Sequence, residues 1–408
     1  MDVPYWDDWD HLSPGALTRE LPWRWIATPH VESPHVPTKL QFWLAYRTDG
    51  LDFSRQQLVA FSLYALALLA AASLLRRCAA LPPWCLWGCL ALALSPKGHE
   101  ALEWAHDSHH HYALLGLLLG AELLFRERAS WPRALAGTAF AFVAMLAHAS
   151  GFAAIGTLWA GYCAFQALRA RRGWAAGERA AALFPAAALG LGLAAWLYGY
   201  VPSPDQPAGT PPTDGRFWRF LLNLVSWGFG MDQVSVTLGL LCLLLALAPV
   251  LSELRRRGRA GLAELPSGHA AVYTVLAALV VVLALAAYGR AAFGIGYAKA
   301  SRYAVIAVLV VPFAAAAWQL RLAGSRRRES VLAALLAFAA LGHADNWDFS
   351  LYDLAGEERR LGVQCVRAYY AGAGDGYCPM IYPKPIPERL DHARELDVSF
   401  YRRLRDGR

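Results

Sequence analysis

Long apolar stretches with few charges alternate with short polar connections along most of the chain. This pattern predicts ten membrane-spanning helices, at 56–75, 81–95, 109–125, 132–148, 152–168, 180–200, 234–252, 270–289, 303–320 and 330–343. Because a helix needs roughly 20 residues to cross the hydrocarbon core of a bilayer, the stretches 81–95 and 330–343 are short for a span. We therefore predict an all-α fold, a polytopic membrane helix bundle of about ten spans.

The composition points to the same class of protein. Of the 408 residues, 57% are hydrophobic and 17% are charged, whereas soluble domains hold roughly 45–50% apolar and about 25% charged residues. These values exclude an ordinary soluble enzyme and a disordered protein. The net charge of +7 comes mostly from short arginine clusters between apolar stretches. Such clusters are typical of cytoplasmic loops of membrane proteins, so we expect no nucleic-acid partner.

Basic residues are distributed unevenly between alternate connections. If residues 1–55 lie outside, the five cytoplasmic connections hold 17 Lys and Arg residues and the short outside loops hold six. This asymmetry orients the chain with both ends on the outer face. It then consists of an outer-face head (1–55), a transmembrane bundle (56–343) and an outer-face tail (344–408). Since the head lacks the basic and apolar regions of a secretory signal, we expect a further transmembrane helix ahead of Met1.

The head carries an acidic, tryptophan-rich motif, Pro-Tyr-Trp-Asp-Asp-Trp-Asp at 4–10. Tryptophan prefers the membrane interface, and its ring can stack on a sugar or a lipid headgroup. A carboxylate partly withdrawn from water beside such rings, here Asp7 or Asp8, suits the role of a general base toward a hydroxyl group. The alternative is a solvated acidic segment that tryptophan anchors to the membrane surface.

In five short segments the chain resembles a group of bacterial multi-pass membrane proteins. These proteins are themselves similar to the GT-C superfamily of polyprenyl-phosphate-sugar-dependent glycosyltransferases. The segments are 4–9 (similar to Trp-Asp-Glu-Trp in a first outer loop), 30–35 (similar to His-Asn-Glu-His), 95–104 (Ser-Pro through Glu and Trp), 289–303 (Gly-Arg and Ser-Arg-Tyr) and the cysteine-containing tail. The chain departs from the pattern at Val36, where Arg is usual, and at Ala101, where Asn is frequent.

The resemblance implies a glycosyltransferase that moves a sugar from a polyprenyl-phosphate carrier, with inversion at the anomeric carbon. The acceptor is an envelope glycan, lipid or protein on the outer face of the bacterial inner membrane. Asp7 is then the base that activates the acceptor hydroxyl, and Asp8 lies beside it. The expected substrate-binding residues are His30, Glu32, His35, Glu100, Trp104, Arg290, Lys299, Arg302 and Tyr303.

Among these residues, Arg290, Lys299 and Arg302 supply the positive charge that a leaving lipid phosphate needs. All three fall within a short stretch beside the outer membrane boundary. The alternative is that they bind the headgroups of anionic membrane lipids.

Two further features concern metal and disulfide chemistry. On a continuous helix, Glu103, His106 and His110 would share one face through i, i+3 and i+4 spacing, and such a set can bind a divalent metal ion. A polar acceptor-side surface or a solvated loop explains the same residues, so no cofactor is assigned. Cys365 and Cys378 lie in the outer-face tail, where an oxidising compartment leads us to expect a disulfide.

A second class of function stays open, namely a non-catalytic transporter of lipid-linked glycans or an envelope-assembly subunit. A transporter is expected to place charged residues inside its spans, near the middle of the bilayer. In this chain the charged residues gather at the ends of the apolar stretches. That distribution favours chemistry at the membrane surface, although it does not identify the sugar or the acceptor.

Overall fold

A computed structural model describes residues 3–31, 33–171, 173–174, 177–201, 206–262, 264–344 and 350–406. Within these ranges the chain is all-helical and contains no β-strand, which confirms the prediction of an all-α fold. The α-helices are α1 (Trp23–Ala27), α2 (Val36–Asp49), α3 (Phe53–Ala79), α4 (Pro83–Ala93), α5 (His99–Glu103), α6 (Ser108–Leu124), α7 (Trp131–Ala147), α8 (Ala149–Ala170), α9 (Glu178–Tyr198), α10 (Gly215–Gly228), α11 (Val236–Leu262), α12 (Ser267–Arg290), α13 (Ala304–Ala307), α14 (Val310–Arg321), α15 (Arg328–Ala344), α16 (Ser350–Tyr370), α17 (Pro387–Glu395) and α18 (Ser399–Arg405).

Among the described residues, six helical stretches are long and apolar enough to cross a membrane. They are Phe53–Ala79, Ala149–Ala170, Glu178–Tyr198, Val236–Gly258, Ser267–Phe293 and Ser301–Arg321. This finding supports a multi-pass membrane protein. The four other predicted spans coincide with the shorter helices α4, α6, α7 and α15, which have 11 to 17 residues. A total of about ten spans therefore stays a prediction.

Arginines near the ends of the long helices pair with buried or half-buried glutamates. Glu122 accepts from Arg77 Nε at 2.8 Å and from Arg126 Nη2 at 2.5 Å. Glu253 likewise accepts from Arg257 Nε at 2.6 Å. These pairs neutralise charge where helices meet their connections, which keeps isolated charges out of the apolar interior.

The proline-containing segment 201–233, which lies between two predicted spans, contains helix α10. Asp214 caps this helix by accepting from the backbone N–H of Arg216 at 2.8 Å. Four buried apolar side chains recur at the helical spacing i, i+3, i+4 and i+7, and so lie on one face of α10: Phe217, Phe220, Leu221 and Leu224. They pack α10 against the bundle, and the flanking prolines and short length hid this amphipathic pattern in the sequence.

The head and the tail, treated above as separate regions, share one apolar core. The ring of Trp9 lies 5.7 Å from that of Phe400, and the backbone N–H of Trp6 donates to the carbonyl of Ile381 at 2.7 Å. We call the packed head and tail residues 3–55 and 350–406 the cap. The structure also joins Cys365 and Cys378 in a disulfide within the cap.

Candidate functional site

A cavity of about 150 Å³, here called the first cavity, lies where the cap meets the bundle. It contains two carboxylates, two guanidinium groups and several imidazoles, and helix α12 supplies an apolar wall. The predicted site residues that line it are Asp7, His30, His35, Arg290, Arg302 and Tyr303. These residues come from the head and from the α12–α13 region, so the fold brings distant segments of the chain to one place.

Asp7 lies on the 3-10 helix Trp6–Leu12 of the head. On this helix Trp9 and Leu12 are completely buried in the core of the cap. Their packing fixes the helix, so the Asp7 side chain is held at the first cavity by residues that face away from it.

Opposing charges surround the Asp7 carboxylate. Burial raises the pKa of Asp7, and the nearby carboxylate of Asp10 raises it further. His30, Arg302 and Arg290 act in the opposite direction and lower the pKa. A carboxylate that is desolvated and yet faces cations is a stronger base than a solvated one while still able to ionise.

Asp8, predicted to assist Asp7, does not line the first cavity. It is buried, and its two oxygens accept from two backbone N–H groups, that of His106 at 2.8 Å and that of Tyr5 at 3.2 Å. Burial raises the pKa of Asp8 to about 7, while the two N–H donors lower it. Asp8 therefore links the head to the chain segment before α6 through these two hydrogen bonds, which we call the clasp.

We expect Asp8→Asn to loosen this clasp. An amide has only one acceptor oxygen, so its nitrogen must face the N–H of either Tyr5 or His106. A buried donor left unpaired costs about 1–3 kcal/mol. Limited proteolysis of membranes at pH 8 should therefore cleave the head faster in Asp8→Asn than in wild type. Asp375→Asn, at an exposed position in the tail, is the control, and equal cleavage in all three proteins would contradict the clasp.

Arg302 is held in the site by contacts to three neighbouring side chains. Its backbone N–H donates to Glu100 Oε2 at 3.1 Å, and its Nη2 donates to the Tyr297 hydroxyl at 2.7 Å. The guanidinium carbon lies 5.5 Å from the centroid of the Trp104 ring. Arg290, at the C-terminal end of α12, is the second cation of the first cavity. The two arginines reach the same space from opposite ends of the α12–α13 connection.

Lys299, expected to act with these arginines, lies elsewhere. Its ammonium group donates to Ser226 Oγ at 3.0 Å and to the carbonyls of Asn223 at 3.2 Å and Met231 at 2.5 Å. These acceptors belong to α10 and the turn after it. Lys299 therefore anchors the α12–α13 connection to a helix that the sequence did not reveal.

A second cavity of about 360 Å³ adjoins the first, and Arg302 lines both. Its walls include the predicted residues Glu100 and Trp104, together with Trp6. The rings of Trp6 and Trp104 lie 6.1 Å apart at an interplanar angle of 28°. The second cavity thus combines stacked aromatic rings with carboxylates.

The predicted metal-binding face of Glu103, His106 and His110 does not form. Helix α5 ends at Glu103 and α6 begins at Ser108, so the helical spacing is interrupted. Glu103 pairs instead with Arg359 at 3.3 Å and lines the second cavity. The other acidic and histidine side chains of this part of the first cavity are Asp107, His109 and His148.

A tight turn places His30 and His35 side by side, with ring centroids 5.2 Å apart. The backbones of His30 and Ser33 exchange two hydrogen bonds of 2.7 and 3.0 Å. The Ser33 hydroxyl also accepts from the N–H of Ala149 at 3.0 Å, which ties the turn to the start of α8. Glu32, also predicted to bind substrate, lies outside the described residues.

Comparisons of the chain with protein-family models, with curated proteins and with solved structures returned no match. The six long apolar helices indicate a multi-pass membrane protein, and a polar cavity lined by two arginines lies between its bundle and its cap. The resemblance to GT-C enzymes rests on the short sequence segments alone.

Proposed function

We propose that the chain is a membrane glycosyltransferase that moves a sugar from a polyprenyl-phosphate carrier to a hydroxyl group of an envelope acceptor. The observation that carries this proposal is the meeting of Asp7, Arg290 and Arg302 in one cavity with an apolar wall. A general base, a phosphate-binding pair and a surface for a lipid chain are the three parts that such a transfer needs.

The lining of the first cavity matches the two parts of the donor, since its arginines suit the phosphate and its apolar side chains suit the prenyl chain. Arg290 and Arg302 can each bind a phosphate through paired N–H groups. The apolar side chains nearby, which are supplied by α12 and the start of α13, are Val282, Leu283, Leu285, Ala286 and Ile306. A prenyl chain would leave along this wall toward the bilayer, while its phosphate stays with the arginines.

The reaction then follows from the position of Asp7. The carboxylate removes the proton of the acceptor hydroxyl as the hydroxyl oxygen forms a bond to the anomeric carbon. The bond between that carbon and the phosphate oxygen breaks, and its electron pair stays on the phosphate. Arg290 and Arg302 stabilise the negative charge that develops there.

The second cavity supplies a place for the acceptor. Sugar rings present C–H faces that pack on aromatic rings, and Trp6 and Trp104 offer such a surface. Glu100, on the same cavity, can accept hydrogen bonds from sugar hydroxyls. Because Arg302 lines both cavities, an acceptor held in the second cavity would lie next to the donor, and inversion requires its hydroxyl to reach the anomeric carbon on the face opposite the phosphate.

The test is the envelope-glycan and glycolipid profile of a deletion strain, with and without the wild-type chain. We expect the deletion to remove one sugar substituent from the envelope and to accumulate the corresponding polyprenyl-phosphate sugar. Wild type should restore both to normal. An unchanged profile, or a missing sugar without accumulated donor, would contradict the transfer reaction.

We expect Trp6→Ala to weaken acceptor binding more than donor binding. An aromatic contact contributes about 0.5–1.5 kcal/mol, so the KM for the acceptor should rise roughly 2- to 10-fold. Trp6 is 38% exposed, and its truncation should leave the cap folded. Trp6→Phe, which keeps a ring, should stay near wild type in a transfer assay with membrane vesicles. A rise in the donor KM alone would place the acceptor elsewhere.

A further inference from the structure

Three imidazoles from three different helix starts meet at the wall of the first cavity. They are His35 before α2, His109 in the first turn of α6 and His148 before α8. One nitrogen of each ring lies within 4.8 Å of the other two. The His109 ring lies 4.4 Å from that of His35 and 4.5 Å from that of His148. We call these three residues the histidine triad.

His109 is held in the tautomer that a metal ligand requires. Its Nδ1 lies 2.8 Å from the carbonyl oxygen of His106. Because a carbonyl can only accept, Nδ1 carries the proton and Nε2 keeps its lone pair. A histidine ligand is commonly oriented in this way, by donating its other N–H to a backbone carbonyl.

His148 can adopt the same arrangement through Ser150. Its Nδ1 lies 2.9 Å from the Ser150 hydroxyl and accepts from the backbone N–H of Ser150 at 3.1 Å. A metal ion at Nε2 requires the proton to be on Nδ1, where the Ser150 hydroxyl is placed to accept it. Metal binding at Nε2 would therefore exchange the hydrogen bond from the backbone N–H for one to the hydroxyl.

His35 has no hydrogen-bond partner for either ring nitrogen within the part of the chain that the structure describes. The residue is only 3% exposed, and burial of this kind disfavours the charged form of an imidazole. Burial of a neutral imidazole without a hydrogen-bond partner costs free energy, because the ring nitrogens lose their contacts with water and gain no others. A ligand that occupies the lone pair of the ring would offset this cost.

We propose that the histidine triad binds one divalent transition-metal ion, of which Zn²⁺ is the representative, and leaves its fourth position open to the first cavity. Three neutral imidazoles with one open position form a known type of zinc site. At a Zn–N distance of about 2.0–2.1 Å, tetrahedral ligand atoms lie roughly 3.4 Å apart. The triad therefore needs to contract by no more than roughly 1.5 Å. This site does not depend on the proposed transferase reaction.

Two other groups among the described residues also have ligand atoms within 4.8 Å of one another. Asp107 with His109 and His110 shares His109 with the triad, so the two cannot both be occupied. The neighbouring group, Asp7 with His30 and His106, is a weaker candidate. The Nδ1 of His106 already lies 2.9 Å from Nε2 of His11. His30 Nε2 faces the carboxylate of Asp10 at 3.6 Å. These contacts compete with a metal ion, and none of comparable kind engages the His35 ring.

The first test is the metal content of the full-length chain, purified in detergent through an affinity tag without histidine. After equilibration with Zn²⁺ and removal of free metal, we expect one ion per chain. Replacement by Co²⁺ should give the visible absorption of a tetrahedral site with nitrogen ligands. A wild-type chain without bound ion, or an octahedral cobalt spectrum, would overturn the proposal.

The second test uses variants of the triad. His35→Asn, His109→Asn and His148→Asn should each lose the ion, whereas His269→Asn, at the far end of α12, should keep it. Gel filtration and proteolysis establish which variants remain folded. Loss of the ion in His30→Asn with retention in the triad variants would move the site to the neighbouring group and overturn the assignment.

A milder variant keeps the proposal testable if the triad variants do not fold. Ser150→Ala removes the acceptor for the Nδ1 proton of His148 and leaves all three imidazoles in place. The loss of such an outer partner typically weakens metal binding about 10- to 100-fold. A competition titration with a chelator should show this weakening. An unchanged affinity in Ser150→Ala would exclude His148 from the site.

Discussion

Asp7→Asn is expected to abolish sugar transfer while the chain still folds and reaches the membrane. The amide has nearly the size of the carboxylate but cannot take a proton from a hydroxyl. Loss of a positioned general base typically costs about 10²- to 10⁴-fold in rate. The measurement is the rate of transfer in membrane vesicles, normalised to the amount of chain, together with restoration of the envelope glycan in a deletion strain.

The matched control is Asp375→Asn, which makes the same chemical change at an exposed position of the cap. It should transfer at the wild-type rate. If well-expressed Asp7→Asn restores the glycan fully, Asp7 is not the base. The head would then be an interfacial anchor, and the transporter or assembly function would become the stronger hypothesis.

The pH dependence gives a second readout for Asp7. The group must be ionised to act as a base, and burial raises its pKa above the usual 3.8. Transfer should therefore be slow at low pH and rise through a pKa higher than that of a solvated aspartate. The contribution of Asp7 to the free energy of unfolding depends on pH in the opposite direction. Because the pKa of Asp7 is higher in the folded than in the unfolded chain, this group stabilises the fold at pH values below its unfolded-state pKa. The stabilisation is lost as the pH rises through the folded-state pKa.

The apolar pattern predicted the helical membrane fold, because burial in a bilayer constrains composition over every long helix. The cap was harder to predict, since its core depends on contacts such as that between Trp9 and Phe400. Those residues are far apart in sequence and carry no shared local signal. The head and tail consequently looked like two regions although they fold together.

The same distinction applies to the site. Asp7 and Arg302 were selected from short motifs, and both line the first cavity. Lys299 was selected because it is positively charged and close to Arg302 in sequence, yet its ammonium group forms hydrogen bonds with α10 instead of lining the first cavity. His148 ended a predicted span and had no spacing relation to His109, so only the packing of α8 beside α6 brings the two rings together.

Arg302→Ala is expected to reduce kcat for transfer about 10²- to 10³-fold, the usual cost of removing one donor that stabilises developing charge. The variant also removes a positive charge that lowers the pKa of Asp7. The rising limb of the pH–rate profile should therefore move to higher pH. A residue that only anchored the chain to lipid headgroups would change membrane association and leave both quantities unaltered.

Arg302→Lys separates charge from geometry. Lysine keeps the positive charge, so the pH–rate limb should stay near that of wild type, but it cannot bind a phosphate through paired N–H groups. We expect a lower rate with an unshifted pH profile. Arg219→Ala, at an exposed position on α10, should leave both rate and profile unchanged. A wild-type rate in Arg302→Ala would show that Arg302, which among the described residues is the one that lines both cavities, does not stabilise the leaving phosphate.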